Sequence, residues 1–103
     1  MTDDASVQLH AADGLYVWAE LNPEGVLIIS GQDLRPGFGL EEYEYAFTVL
    51  PQSVPLVRSA LDGANDDSIL ALLAAAGKAI VGVGVQHWLD QIGARYEFWS
   101  RSE

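Results

Sequence analysis

Apolar and polar positions alternate with a period of two over the first half of the chain. They shift to a period of about 3.6 from residue 53 onward and return to two at the end. Ser6 to Ala12 (SVQLHAA) sets Val7, Leu9 and Ala11 on one side and Gln8 and His10 on the other. Asp13-Gly14 follows, the favoured pair for a tight hairpin turn, and Leu15 to Leu21 (LYVWAEL) reads as a second strand. Asn22-Pro23-Glu24-Gly25 is a turn in which proline pre-sets one corner and glycine accepts a positive φ. Val26 to Gln32 (VLIISGQ) is the third strand, with room for a bulge at Gly31. A glycine-rich loop over residues 33–40 leads to a fourth strand, Glu41 to Leu50, in which acidic and aromatic residues alternate.

The turns predict a register. A tight Asp13-Gly14 turn sets Ala12 opposite Leu15, His10 opposite Val17 and Gln8 opposite Ala19. The second turn sets Leu21 opposite Val26, Ala19 opposite Ile28 and Val17 opposite Ser30. Val7, Leu9, Ala11, Tyr16, Trp18, Leu27 and Ile29 then form the core face, with Tyr43, Tyr45, Phe47 and Val49 joining from the fourth strand. A one-residue bulge in either hairpin would swap these assignments.

Beyond Pro51 the spacing becomes helical. Ser53-Val54-Pro55 reads as a helix start with a capping hydroxyl, and VPLVRSALDG as a short helix ending at Gly63. Asp66 or Asp67 caps a second helix that buries Ile69, Leu72, Leu73 and Ala76 and stops at Gly77. Residues 78–84 (KAIVGVG) fit either a helix or an extended piece. From Val85 the helical period is clear, with Val85, Trp88, Leu89 and Ile92 on one side, and Gly93 ends it. Ala94 to Arg101 (ARYEFWSR) alternates again as a last strand. The expected fold is α+β in one domain over residues 1–103: an antiparallel sheet of four to five strands, formed by an N-terminal meander and a C-terminal strand, with two or three helices on one face.

Composition narrows the function classes. The 103 residues carry five basic and fifteen acidic side chains, a net charge of −10. Nucleic-acid backbones and anionic lipid surfaces are repelled, whereas a basic protein is attracted. The chain has no cysteine, which removes disulfides, cysteine-ligated zinc and thiol catalysis. No apolar run approaches the ~20 residues of a membrane span, and no signal peptide is read, so a soluble cytoplasmic protein is the expectation.

Candidate chemistry is sparse. His87 precedes Asp90 by three positions, a spacing that would orient an imidazole, but beside Trp88 it reads better as a boundary residue. No serine lies in a nucleophile elbow. Gly77-Lys78 lacks the rest of a phosphate loop, since Leu72 and Ala79 replace its glycine and hydroxyl. Glu41, Glu42 and Glu44 on an exposed strand are well solvated, which argues against split carboxylate pKa values. No catalytic, metal or cofactor assignment follows, and a non-enzymatic protein is expected.

Recognition is the stronger reading. The register gives a second face with Val17, Ala19, Ile28 and Trp99 at its centre, rimmed by Gln8, His10, Gln32, Glu42 and Glu44, the anatomy of a protein interface. The expected occupant is a basic protein, as for a bacterial immunity protein or antitoxin, or a second copy in a homodimer. The other reading is a small-molecule site in the 33–40 loop, with Arg35 holding an anion and Phe38 as an apolar wall.

Overall fold

Five strands pair in the order in which the chain makes them. β1 (Ala5–Ala12), β2 (Leu15–Leu21), β3 (Leu27–Asp33), β4 (Tyr43–Val49) and β5 (Tyr96–Ser102) form one sheet, each antiparallel to its neighbour. The computed structural model describes residues 5–12, 14–34, 43–63 and 68–102. A 3-10 turn at Pro51–Ser53, then α1 (Val54–Ala60), α2 (Ile69–Val83) and α3 (Val85–Gln91) come between β4 and β5. The helices share a single core with one face of the sheet, so the architecture is α+β as the periodicity implies.

The first hairpin keeps its expected register at the turn, with Ala12 opposite Leu15 and His10 opposite Val17, and Gly14 takes φ +85°. Beyond that a bulge between Gln8 and His10 displaces β1 by one residue, so Val7 meets Ala19 and Gln8 meets Trp18. A bulge places two residues of one strand against one of the other. Leu9 is thereby turned into the core and His10 stays half-buried on the same side.

The second hairpin departs from expectation by one residue: Leu21 pairs with Leu27, Ala19 with Ile29 and Val17 with Gly31. The cause is the Asn22 side chain, whose Oδ1 accepts from the backbone N–H groups of Glu24 (2.9 Å) and Val26 (3.0 Å). Asn22 also donates its own N–H to the Val26 carbonyl, which closes a longer loop over 22–26. Val17 and Ala19 therefore enter the core fully buried, while Tyr16 and Trp18 turn to the other face. In β3 and β4 the expected core positions hold, with Leu27, Ile29, Phe47 and Val49 all buried.

Close helix approach explains why β2 contributes small residues to this core. At Gly77, in the middle of α2, an added Cβ would lie 2.5 Å from the Leu9 carbonyl oxygen and 2.9 Å from Leu9 Cα. The helix sits on the β1 backbone, with Val17 and Ala19 of β2 beside it and no space for an indole. Gly77 is thus a contact point, and the expected stop there is corrected. The helix runs on through Val83, and Gly84 ends it with φ +104°. α2 and α3 meet at this residue with a bend of 102°.

Two caps also differ. Ser68, not an aspartate, caps α2 by accepting from the Ala71 N–H at 3.2 Å. Ser53 precedes α1 but makes no cap bond; its Oγ accepts from the Arg95 N–H at 2.9 Å. Ser53 is the one buried polar side chain among the described residues, and it ties the start of the helical segment to the approach of β5.

Candidate functional site

The face of the sheet opposite the helices carries the candidate site. Its central row crosses four strands as Trp18, Ser30, Ala46 and Trp99, with Gln8 beyond Trp18 on β1. Tryptophans stand on β2 and β5, three strand spacings or about 14 Å apart, while the two residues between them are small. The row thus places two small residues, Ser30 and Ala46, between two tryptophans. Trp99 is 53% exposed and Tyr16 37%.

The rows on either side are charged. Glu20, Ile28, Thr48 and Glu97 form one, and Tyr16, Gln32, Glu44 and Arg101 the other. Each tryptophan therefore has a glutamate two positions along its own strand on the same face: Glu20 by Trp18 and Glu97 by Trp99. Arg101 donates to the Glu44 carboxylate across β4 and β5, which neutralises that corner. Glu20 and Glu97 make no ion pair among the described residues, so this flank of the row stays negative.

Of the residues expected at the interface, Gln8, Ile28, Gln32, Glu44 and Trp99 do share this face. Val17 does not, being fully buried beneath the helices, and His10 pairs with Val17 on the covered side. Glu42, Arg35 and Phe38 lie outside the described residues. The periodicity turned Trp18 and Glu20 to the covered face, because the register of β2 was set one residue off, whereas Ser30 and Glu97 stand on the side that alternation implies. The signal for Trp18 and Glu20 was Asn22: an asparagine opening a turn accepts from later amides and lengthens it.

The remaining chemistry is thin. His87 is exposed, and the Asp90 carboxylate spaced three positions from it is engaged elsewhere, accepting from the Tyr96 hydroxyl at 2.7 Å. That bond is the largest cause of a Tyr96 pKa raised above its ordinary value, burial adding to it. No group of three histidine or carboxylate side chains among the described residues is placed to hold a metal ion. No single helix among them is long and apolar enough to cross a membrane. No protein-family model, curated protein or solved structure matches the chain.

Proposed function

We propose that this chain is a non-enzymatic binding protein whose uncovered sheet face receives a basic, amphipathic segment of another protein. The observation that supports it is the Trp18–Ser30–Ala46–Trp99 row with Glu20 and Glu97 along one flank. The backbone positions of the two tryptophans are about 14 Å apart, a span on the scale of an α-helix about 10 Å across. Tryptophans are favoured anchors at such interfaces, where they bury much area at little entropic cost. Lysine or arginine on the flank of the incoming segment would meet the two unpaired glutamates. A protein that covers and neutralises a basic partner, as immunity proteins and antitoxins do, is the class this fits.

Charge disfavours the two competing occupants. A second copy would bring another −10 to the same face, and Glu20 and Glu97 would face like charges. Nucleic-acid bases stack on tryptophan, but the phosphates would be repelled over the whole approach. The test is affinity capture with wild type, Trp99→Ala and the pair Glu20→Lys/Glu97→Lys. Wild type should retain a basic partner at roughly 0.01 M salt, where the Debye length is about 30 Å, and release it progressively at higher ionic strength. Trp99→Ala should cost about 2 kcal/mol of binding, near 30-fold, and the lysine pair should abolish capture. A partner bound equally well by all three proteins would refute the reading, and so would sedimentation as a stable dimer.

A further inference from the structure

On the helix-covered side, the β4–β5 edge carries a second feature that the sheet-face reading does not use. An open groove of about 380 Å³ lies between the sheet and the α2–α3 bend, lined by Tyr43, Tyr45, Phe47 and Phe98 and by Gly84, Val85, Gln86 and His87. The rings form a connected series with centroids 5.8 Å apart for Tyr43–Tyr45, 5.6 Å for Tyr45–Phe47 and 5.1 Å for Phe47–Phe98. Their planes turn by 36°, 68° and 41° from one to the next, so the groove has angled ring faces in place of one flat stack. Phe98 remains 47% exposed, although it pairs with buried Phe47.

Gly31 is part of this construction. It sits opposite Tyr45, and a Cβ there would overlap the phenolic end of the Tyr45 ring. The glycine lets the ring lie across β3, which anchors the groove floor to the middle of the sheet. A pocket of a few hundred Å³ is the size of a small-ligand site.

We propose that this groove binds an alkylammonium group, a quaternary or methylated amine carried on an apolar stem. The π faces of Tyr and Phe are electronegative and attract a desolvated cation, each at an exposed site by a factor of about 2 to 5. The chain's net charge of −10 draws cations toward it, and among the described residues no lysine or arginine lines the groove. The amide end of α3 opposes a cation, but one helix end is worth about the same factor of 2 to 5 and only once. Phe47 is buried beneath its neighbours, so three accessible rings, Tyr43, Tyr45 and Phe98, stand against one helix end and favour the cation.

The test uses phenyltrimethylammonium, its neutral isostere tert-butylbenzene and the anion benzoate, each titrated into the full chain while ring-proton NMR shifts are followed. The expected result is saturable binding of the ammonium, with shifts at Tyr43, Tyr45 and Phe98, at least 5-fold tighter than the neutral isostere and with no binding of benzoate. Phe98→Leu keeps an apolar side chain but removes a π face, and should weaken the ammonium about 2- to 5-fold while leaving the isostere unchanged. Far-ultraviolet circular dichroism of the variant checks that the fold is kept. Equal binding of ammonium and isostere, preference for benzoate, absence of ammonium binding, or an unchanged affinity in Phe98→Leu would each overturn the proposal. None of these outcomes bears on the opposite face, where Trp18 and Trp99 stand.

Discussion

Replacing Gly77 with alanine tests the seating of α2 on the sheet. In a solvent-exposed helix interior, glycine to alanine stabilises by about 0.8–1.0 kcal/mol, because alanine loses less backbone entropy. At Gly77 the new methyl would stand 2.5 Å from the Leu9 carbonyl oxygen, 2.9 Å from Leu9 Cα and 3.1 Å from Leu9 C. These are backbone atoms of β1 and cannot rotate aside, so either the helix or the strand must move. Overpacking of this kind costs about 1–3 kcal/mol, and the upper end applies when the obstacle is main chain. Subtracting the propensity gain leaves Gly77→Ala destabilised by about 1–2 kcal/mol, a fall in Tm of about 5–15 °C for a domain of this size. Gly82 is the internal control: it lies in the same helix, is exposed, and a Cβ there meets nothing within 4 Å. Gly82→Ala should raise stability by about 0.5–1 kcal/mol. Urea denaturation followed by circular dichroism gives both values, with the slope expected to stay unchanged. If Gly77→Ala were as stable as Gly82→Ala, the close approach of α2 to β1 would be wrong, and with it the reason Val17 and Ala19 occupy the core in place of Trp18.

Two further substitutions probe single bonds. Ser53→Ala removes the acceptor of the Arg95 N–H and leaves that part-buried donor unpaired, at a cost of about 1–3 kcal/mol; faster hydrogen exchange at the Arg95 amide should accompany the lower urea midpoint, and unchanged exchange would refute the link. The Tyr96 hydroxyl donates to Asp90, which together with burial raises its pKa. Its folded-state value therefore exceeds the unfolded one of about 10, so the stability it lends is complete below pH ~10 and is lost as pH rises through the folded-state value. Phenolate absorbance should show one tyrosine ionising late in wild type and earlier in Asp90→Asn, where only burial still delays it; a delay undiminished by the substitution would exclude Asp90 as the main cause.

The fold was legible where local rules act alone. Asp13-Gly14 placed the first turn, Pro55 the start of α1, Gly93 the end of the last helical segment, and the aromatic alternation the inward side of β4. The two faults in the register arose where something other than strand alternation acts on the backbone. Asn22 lengthens its loop by bonding two later amides, and the Gln8/His10 bulge answers to α2 crossing β1. Period-two patterns do not reveal which parity is buried when both contain large apolar residues, as in LYVWAEL, where Tyr16, Trp18, Val17 and Ala19 all qualify. The candidate site shared this fate. Trp99, Glu44 and Glu97 were visible from alternation, while Trp18 and Glu20 were assigned inward, so the row with a tryptophan on β2 and on β5 emerged only with the true register. The inward rings of β4 were readable, but not the groove they line, since it depends on Phe98 and His87 being brought together from separate elements.

The order of strands in the sheet has a kinetic consequence. Pairs β1–β2, β2–β3 and β3–β4 join neighbours along the chain, so each forms by closing a short loop at small entropic cost. The contact between Gly77 and Leu9 is of another kind, since it spans most of the chain and closes a long loop at a larger entropic cost. Folding would then proceed as a zipper of hairpins followed by docking of α2, with the second step setting the rate. Substitutions at the crossing should act mainly on docking and slow refolding, whereas those in the Asn22 loop should act on the earlier zipper.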